Sequence, residues 1–111
     1  MRKAKVFVHG VSAAEFRELE GGREFQVEYE GGYAGPPISL VMPTSQKLFT
    51  YDRFPPFFEG VLPEGVMLSG LLTRCKINAD DYFSQLMEVG ADLVGAVTVE
   101  SIDEGDDRDV E

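Results

Sequence analysis

The sequence predicts an α+β domain, a small antiparallel sheet packed against two or three short helices. Three observations carry this. Phe25-Gln26-Val27-Glu28-Tyr29-Glu30 alternates apolar and polar without a break, the period of a half-buried strand. Glycine and proline at Gly10, Gly21-Gly22, Gly31-Gly32 and Gly35-Pro36-Pro37 cut the first third into pieces of hairpin length. Between residues 57 and 89 the apolar side chains recur at helical spacing instead.

Taken in order, Lys5-Val6-Phe7-Val8 is a short strand and His9-Gly10 a turn. Ala13 to Leu19 fits strand or helix by pattern; strand is preferred because glycine turns fence both ends. Phe25 to Glu30 completes a meander. Ile38 to Met42 is a short apolar stretch among prolines, and Lys47 to Tyr51 is a further strand candidate. Pro55-Pro56 introduces a first helix containing Phe57, Phe58, Val61 and Leu62, stopped by Pro63. A second helix starts near Gly65, with Met67, Leu68, Leu71, Leu72 and Cys75 on its apolar face. Asn78 is the expected N-cap of a third, with Asp80 and Asp81 in its first turn, Tyr82, Phe83, Leu86 and Met87 facing the core, and Gly90 at its end. Ala96 to Val99 is the last strand.

The chain has 111 residues, enough for one ordinary domain. Residues 1–100 form that domain, and 101–111 read as an acidic, disordered tail. The formal net charge is −10, of which residues 100–111 carry −6. Basic residues are scattered, so no stripe forms that could hold phosphates, and a direct nucleic-acid contact is not expected. No apolar run reaches the ~18 residues of a membrane span, and the one cysteine, Cys75, cannot close an internal disulfide. A cytoplasmic protein held by its core alone is the simplest reading.

The residues offer little catalytic chemistry. His9, the only histidine, falls in a hairpin turn and reads as a surface residue. Cys75 reads as a buried structural thiol. The carboxylates lack calcium-loop spacing, and the paired glycines lack the lysine and context of a phosphate loop. No catalytic, cofactor-binding or metal-binding residue is predicted. The feature that stands out is the break Leu62-Pro63-Glu64-Gly65-Val66-Met67. It is either a plain corner between helices, with Met67 packed inward on Leu71, or a docking edge with Val66 and Met67 exposed.

Three segments carry a family resemblance. Residues 35–43, Gly-Pro-Pro-Ile-Ser-Leu-Val-Met-Pro, resemble the "ISLSMP" strand of HipA-type serine/threonine kinase toxins. Residues 56–65, Pro-Phe-Phe-Glu-Gly-Val-Leu-Pro-Glu-Gly, resemble their "PFFxNLLPEG" signature. Residues 86–97 resemble their "LLxxxGxDxxGAV" segment. The resemblance spans residues 3–100 and is to the N-terminal subdomain alone. The ATP-binding lysine, catalytic aspartate and metal-binding residues of the kinase core have no counterpart. The chain is most similar to the detached small subunit of split HipB–HipS–HipT systems. The resemblance implies a non-enzymatic antitoxin that neutralises a HipA/HipT-like kinase through Leu62, Pro63, Glu64, Gly65, Val66 and Met67, and it allows a ternary complex with a HipB-like DNA-binding protein. The alternative is a toxin-side subunit that couples kinase to antitoxin without inhibiting. Some small subunits place a bulky aromatic after Leu-Pro-Glu-Gly; here Val66 stands there.

Overall fold

A computed structural model describes residues 2–93 and 95–102. Five strands form one antiparallel sheet: β1 (Arg2–Val8), β2 (Val11–Leu19), β3 (Glu24–Tyr29), β4 (Leu48–Tyr51) and β5 (Val97–Ile102), in the spatial order β4-β3-β2-β1-β5. Three helices follow β4: α1 (Pro56–Glu59), α2 (Gly65–Cys75) and α3 (Tyr82–Val89). The α+β architecture is as expected, with β5 returning from the helices to pair beside β1.

Alternation decides which face is buried. Ala4, Val6 and Val8 of β1, Phe25, Val27 and Tyr29 of β3, and Val99 of β5 point to one side. The second strand departs from the rule for a local reason. Val6 pairs with Ala14 but Phe7 with Ser12, so Ala13 is an extra residue in a β-bulge, and both Ala13 and Ala14 are buried. That doubling is why the sequence pattern was ambiguous there.

Phe16 organises the core. Its ring lies 4.6 Å from that of Phe58 and 5.2 Å from that of Phe83, both stacked, and meets Phe54 edge-on at 5.6 Å. One β2 side chain thus touches the segment after β4, α1 and α3. Gln85 is the one buried polar side chain among the described residues. Its amide donates to the carbonyls of Asn78 and Ala79 at 3.3 and 3.0 Å, fixing the approach to α3.

Boundaries differ from expectation at three places. The first helix ends at Glu59, one turn long, and residues 60–62 continue as a turn. The N-cap of α3 is Asp81, whose carboxylate accepts from the Ser84 N–H at 3.2 Å; Asn78 serves through its carbonyl instead. Cys75 is half-buried, not enclosed, because only Leu71 of α2 is buried and it stands outside the main core cluster. At the C-terminal end, β5 runs to Ile102, and the rest of the expected acidic tail lies outside the described residues.

The free edge of β5 is closed by Gly90. The His9 N–H donates to the Ala96 carbonyl at 2.8 Å, which sets the ladder so that Val99 turns its own carbonyl away from β1. A Cβ on Gly90 would lie 2.3 Å from that oxygen. Backbone cannot yield as a side chain can, so Gly90→Ala should destabilise by about 1–3 kcal/mol, lowering the melting temperature by roughly 4–8 °C per kcal/mol. Gly70→Ala, mid-helix with only the Arg74 side chain near at 3.7 Å, should raise stability by about 0.5–1 kcal/mol. Thermal unfolding of the two variants checks the opposite signs.

Candidate functional site

Two concavities differ in chemistry. A cleft of about 470 Å³ at the end of the sheet where β1 begins is charged, lined by Arg2, Glu18, Asp52, Arg53, Asp80 and Asp81 among others. Its central groups are engaged with one another. Arg2 forks onto Glu18, with Nε–Oε1 at 2.6 Å and Nη2–Oε2 at 2.8 Å, and also donates to Asp81 Oδ1 at 3.1 Å and Ser84 Oγ at 2.8 Å. Its guanidinium sits 4.9 Å from the centre of the Phe83 ring. The hydrogen bond to Glu18, above all, raises the Arg2 pKa further. For Asp81, burial pushes the carboxyl up, but the hydrogen bonds from Ser84 and Arg2 outweigh it and hold the pKa below its usual value. The cleft is a clasp joining β1, β2 and the start of α3.

The second concavity, about 320 Å³, is apolar and lies at the opposite end of the sheet. Val8, Pro36, Ile38, Phe57, Val61 and Val97 contribute to its lining. The turn between β1 and β2, the start of β5 and the exit of β3 all fall at this end, since Val8 faces Val97 and the Glu30 N–H donates to Ala13 at 2.8 Å.

The chain leaves this groove at Val61 and enters the helix corner. Gly65 takes φ 61°, the left-handed conformation glycine accepts at little cost, so the Leu-Pro-Glu-Gly break needs that glycine. Leu62 is buried in the core; Pro63 is half-buried; Glu64 and Gly65 are exposed. Val66 is 87% and Met67 75% exposed, so Met67 does not pack inward. The six predicted residues therefore form a buried root, Leu62, carrying an exposed tip. Phe54 is buried and the Tyr33 ring stacks on that of Tyr29 at 5.8 Å, so these two aromatics do not form an open face.

Sequence reasoning missed a second protrusion. Ile38 to Met42 is a turn, not a strand: the Met42 N–H donates to Ser39 O at 2.9 Å, and Leu40 and Val41 at its tip are 94% and 73% exposed. The signal was the bracket Pro37…Pro43 around a serine two residues before Val41, whose hydroxyl accepts from the Val41 N–H at 3.3 Å. His9 is an exposed turn residue, as expected. Partial burial, and then the Glu88 carboxylate 3.6 Å away, push the Cys75 thiol up, opposite to the activation a nucleophile requires. Among the described residues no cluster of three His, Cys, Asp or Glu could hold a metal, and no helix is long and apolar enough to cross a membrane.

This arrangement defines a small α+β domain with a charged clasp at one end of the sheet and an apolar groove at the other. The sequence model of the HipA N-terminal domain matches residues 4–100, and the chain belongs to that family. A solved structure, the N-terminal domain of HipA toxin, superposes with a TM-score of 0.73 at 28% identity, covering 94% of this chain and 95% of that one. A protein of Haemophilus influenzae described as uncharacterised is 32% identical over 100 residues, 90% of this chain and 92% of its own length.

The clasp generates a prediction. A carboxyl held low contributes stability that is complete above its unfolded pKa, about 3.9, and is lost as pH falls through the folded value. Asp81→Asn keeps a good N-cap residue but removes the charge facing Arg2. It should lower the melting temperature at pH 7 and flatten the loss of stability below about pH 4. A variant with the wild-type acid profile would assign the clasp no electrostatic role.

Proposed function

We propose that this domain is a non-enzymatic regulatory module of a HipA-related toxin–antitoxin system, which binds a HipA-like serine/threonine kinase in the cytoplasm and neutralises it. The observation that carries the reading is the corner Pro63–Met67, with Val66 and Met67 exposed on a rooted break between helices. A residue such as Val66 in water gains nothing for the isolated fold, and burying it against a partner removes apolar area from water. Membership of the HipA N-terminal domain family supports the choice of partner. The net charge of −10 favours a basic protein surface over DNA, so a HipB-like protein, not this chain, would supply any operator contact.

Co-expression with a HipA-like kinase encoded beside the gene should rescue growth. Val66→Asp should keep the wild-type melting temperature, because the side chain is already in water. It should weaken kinase binding roughly thirtyfold, the loss of a ~2 kcal/mol anchor, and abolish rescue. Wild-type affinity and rescue from a folded variant would remove the corner from the interface. Binding that persists without rescue by the wild-type protein would instead identify a coupling subunit.

A further inference from the structure

We infer that the turn at Leu40 and Val41 is a second anchor for the same kinase partner, its stem residue Ile38 lining the apolar groove that the chain leaves at Val61 on its way to the Val66–Met67 corner. The inference rests on the function proposed above.

The turn is built to be stiff. Tyr29, buried in the sheet, accepts the Ile38 N–H on its phenolic oxygen at 2.9 Å and donates the same hydroxyl to the Met42 carbonyl. Ile38 and Met42, on either side of the tip, are buried at 4% and 1%. One side chain thus clamps both stems of a turn whose tip residues are left in water. Turn tips usually carry glycine, asparagine or aspartate; two large apolar residues there serve no purpose in the isolated fold. A tip fixed before binding loses little further entropy when it docks.

The surroundings specify the occupant. Ile38 lines the groove together with Val61, so the stem of the turn and the segment that leads into the corner share one concavity. Val11, 58% exposed, lies two residues along the chain from His9, which also lines the groove. Leu40 and Val41 follow the groove residue Ile38 by two and three positions, and Val66 and Met67 follow the groove residue Val61 by five and six. The segments that form this surface, 8–11, 36–43, 57–69 and 95–97, contain no lysine or arginine and two carboxylates, Glu59 and Glu64. The complement is an apolar surface with a basic rim. A second copy of this acidic chain would bring like charges together, whereas a kinase cleft shaped for a nucleotide carries the required sign.

The test measures kinase binding by calorimetry for the wild type, Val66→Asp, and the double variant Leu40→Asp/Val41→Asp, with Leu40→Ser/Val41→Ser as a version that adds no charge. Both double variants should melt within a degree or two of wild type, and each should weaken binding at least about tenfold. Tyr29→Phe, which frees the stems but leaves the tip, should weaken it several-fold. If Val66→Asp loses binding while folded Leu40/Val41 variants bind like wild type, the second anchor is overturned and the function stands. If the wild type does not bind the kinase, both fall. A concentration-dependent dimer of the wild type, seen by sedimentation and dispersed by the Leu40/Val41 substitutions, would assign the turn to a second copy and overturn the kinase as its occupant.

Discussion

The ring of Phe16 is the constraint on which the rest of the molecule depends. It projects from the second strand onto rings from Phe25, Phe54, Phe58 and Phe83. The helices are short: α1 has four residues and α3 eight. Helices of that length do not persist in water by themselves; packing on a common aromatic centre is what holds them. Because Phe58 is drawn onto Phe16, the chain leaves α1 at a fixed place, and the Pro63–Met67 corner is presented from a rigid root. The Arg2 clasp works at the other end of the same cluster, through Phe83, and sets where α3 begins.

The regular parts of this fold were legible because their period reports their burial. Phe25, Val27 and Tyr29 alternate, and each is buried as the pattern requires. The parts that misled are those where one residue breaks a period or one side chain does an unexpected task. The bulge at Ala13 placed two neighbours on the inner face. Asn78 has the right side chain for an N-cap, yet the buried amide of Gln85 takes up its carbonyl and Asp81 caps instead. The second helix has a fair helical pattern but only Leu71 buried, since periodicity reports an apolar face without saying what covers it. The corner was visible in the order Leu-Pro-Glu-Gly. The Leu40–Val41 turn was not, because its exposure is decided by Tyr29, a residue eleven positions away in sequence.

The distribution of charge separates the faces. The outer side of the sheet carries ion pairs, Arg17 across to Glu28 at 2.9 Å and along its own strand to Glu15, and Lys5 with Glu30 at 3.4 Å. Exposed pairs of this kind contribute little to stability, but they keep the face hydrated and unattractive to apolar surfaces. A partner approaching an acidic chain is steered by the net field and then docks where apolar area can be removed from water.

Strand addition is the obvious competing mode for an open sheet, and the structure works against it at both edges. At β5 the Val99 carbonyl, which would otherwise accept from an incoming strand, is covered by Gly90 at a distance that leaves no room for even a methyl group. At β4 the strand is four residues long, and edges that short give an added strand few hydrogen bonds. With both edges and the outer face unsuited, the kinase contact proposed above falls to the irregular segments at the groove end. There the aromatic core and Tyr29 supply the rigidity that loops lack. Gly90 leaves the Val99 carbonyl no room for an added strand, and in the proposed complex the long connections of this small domain, fixed from beneath, serve as the docking surface instead.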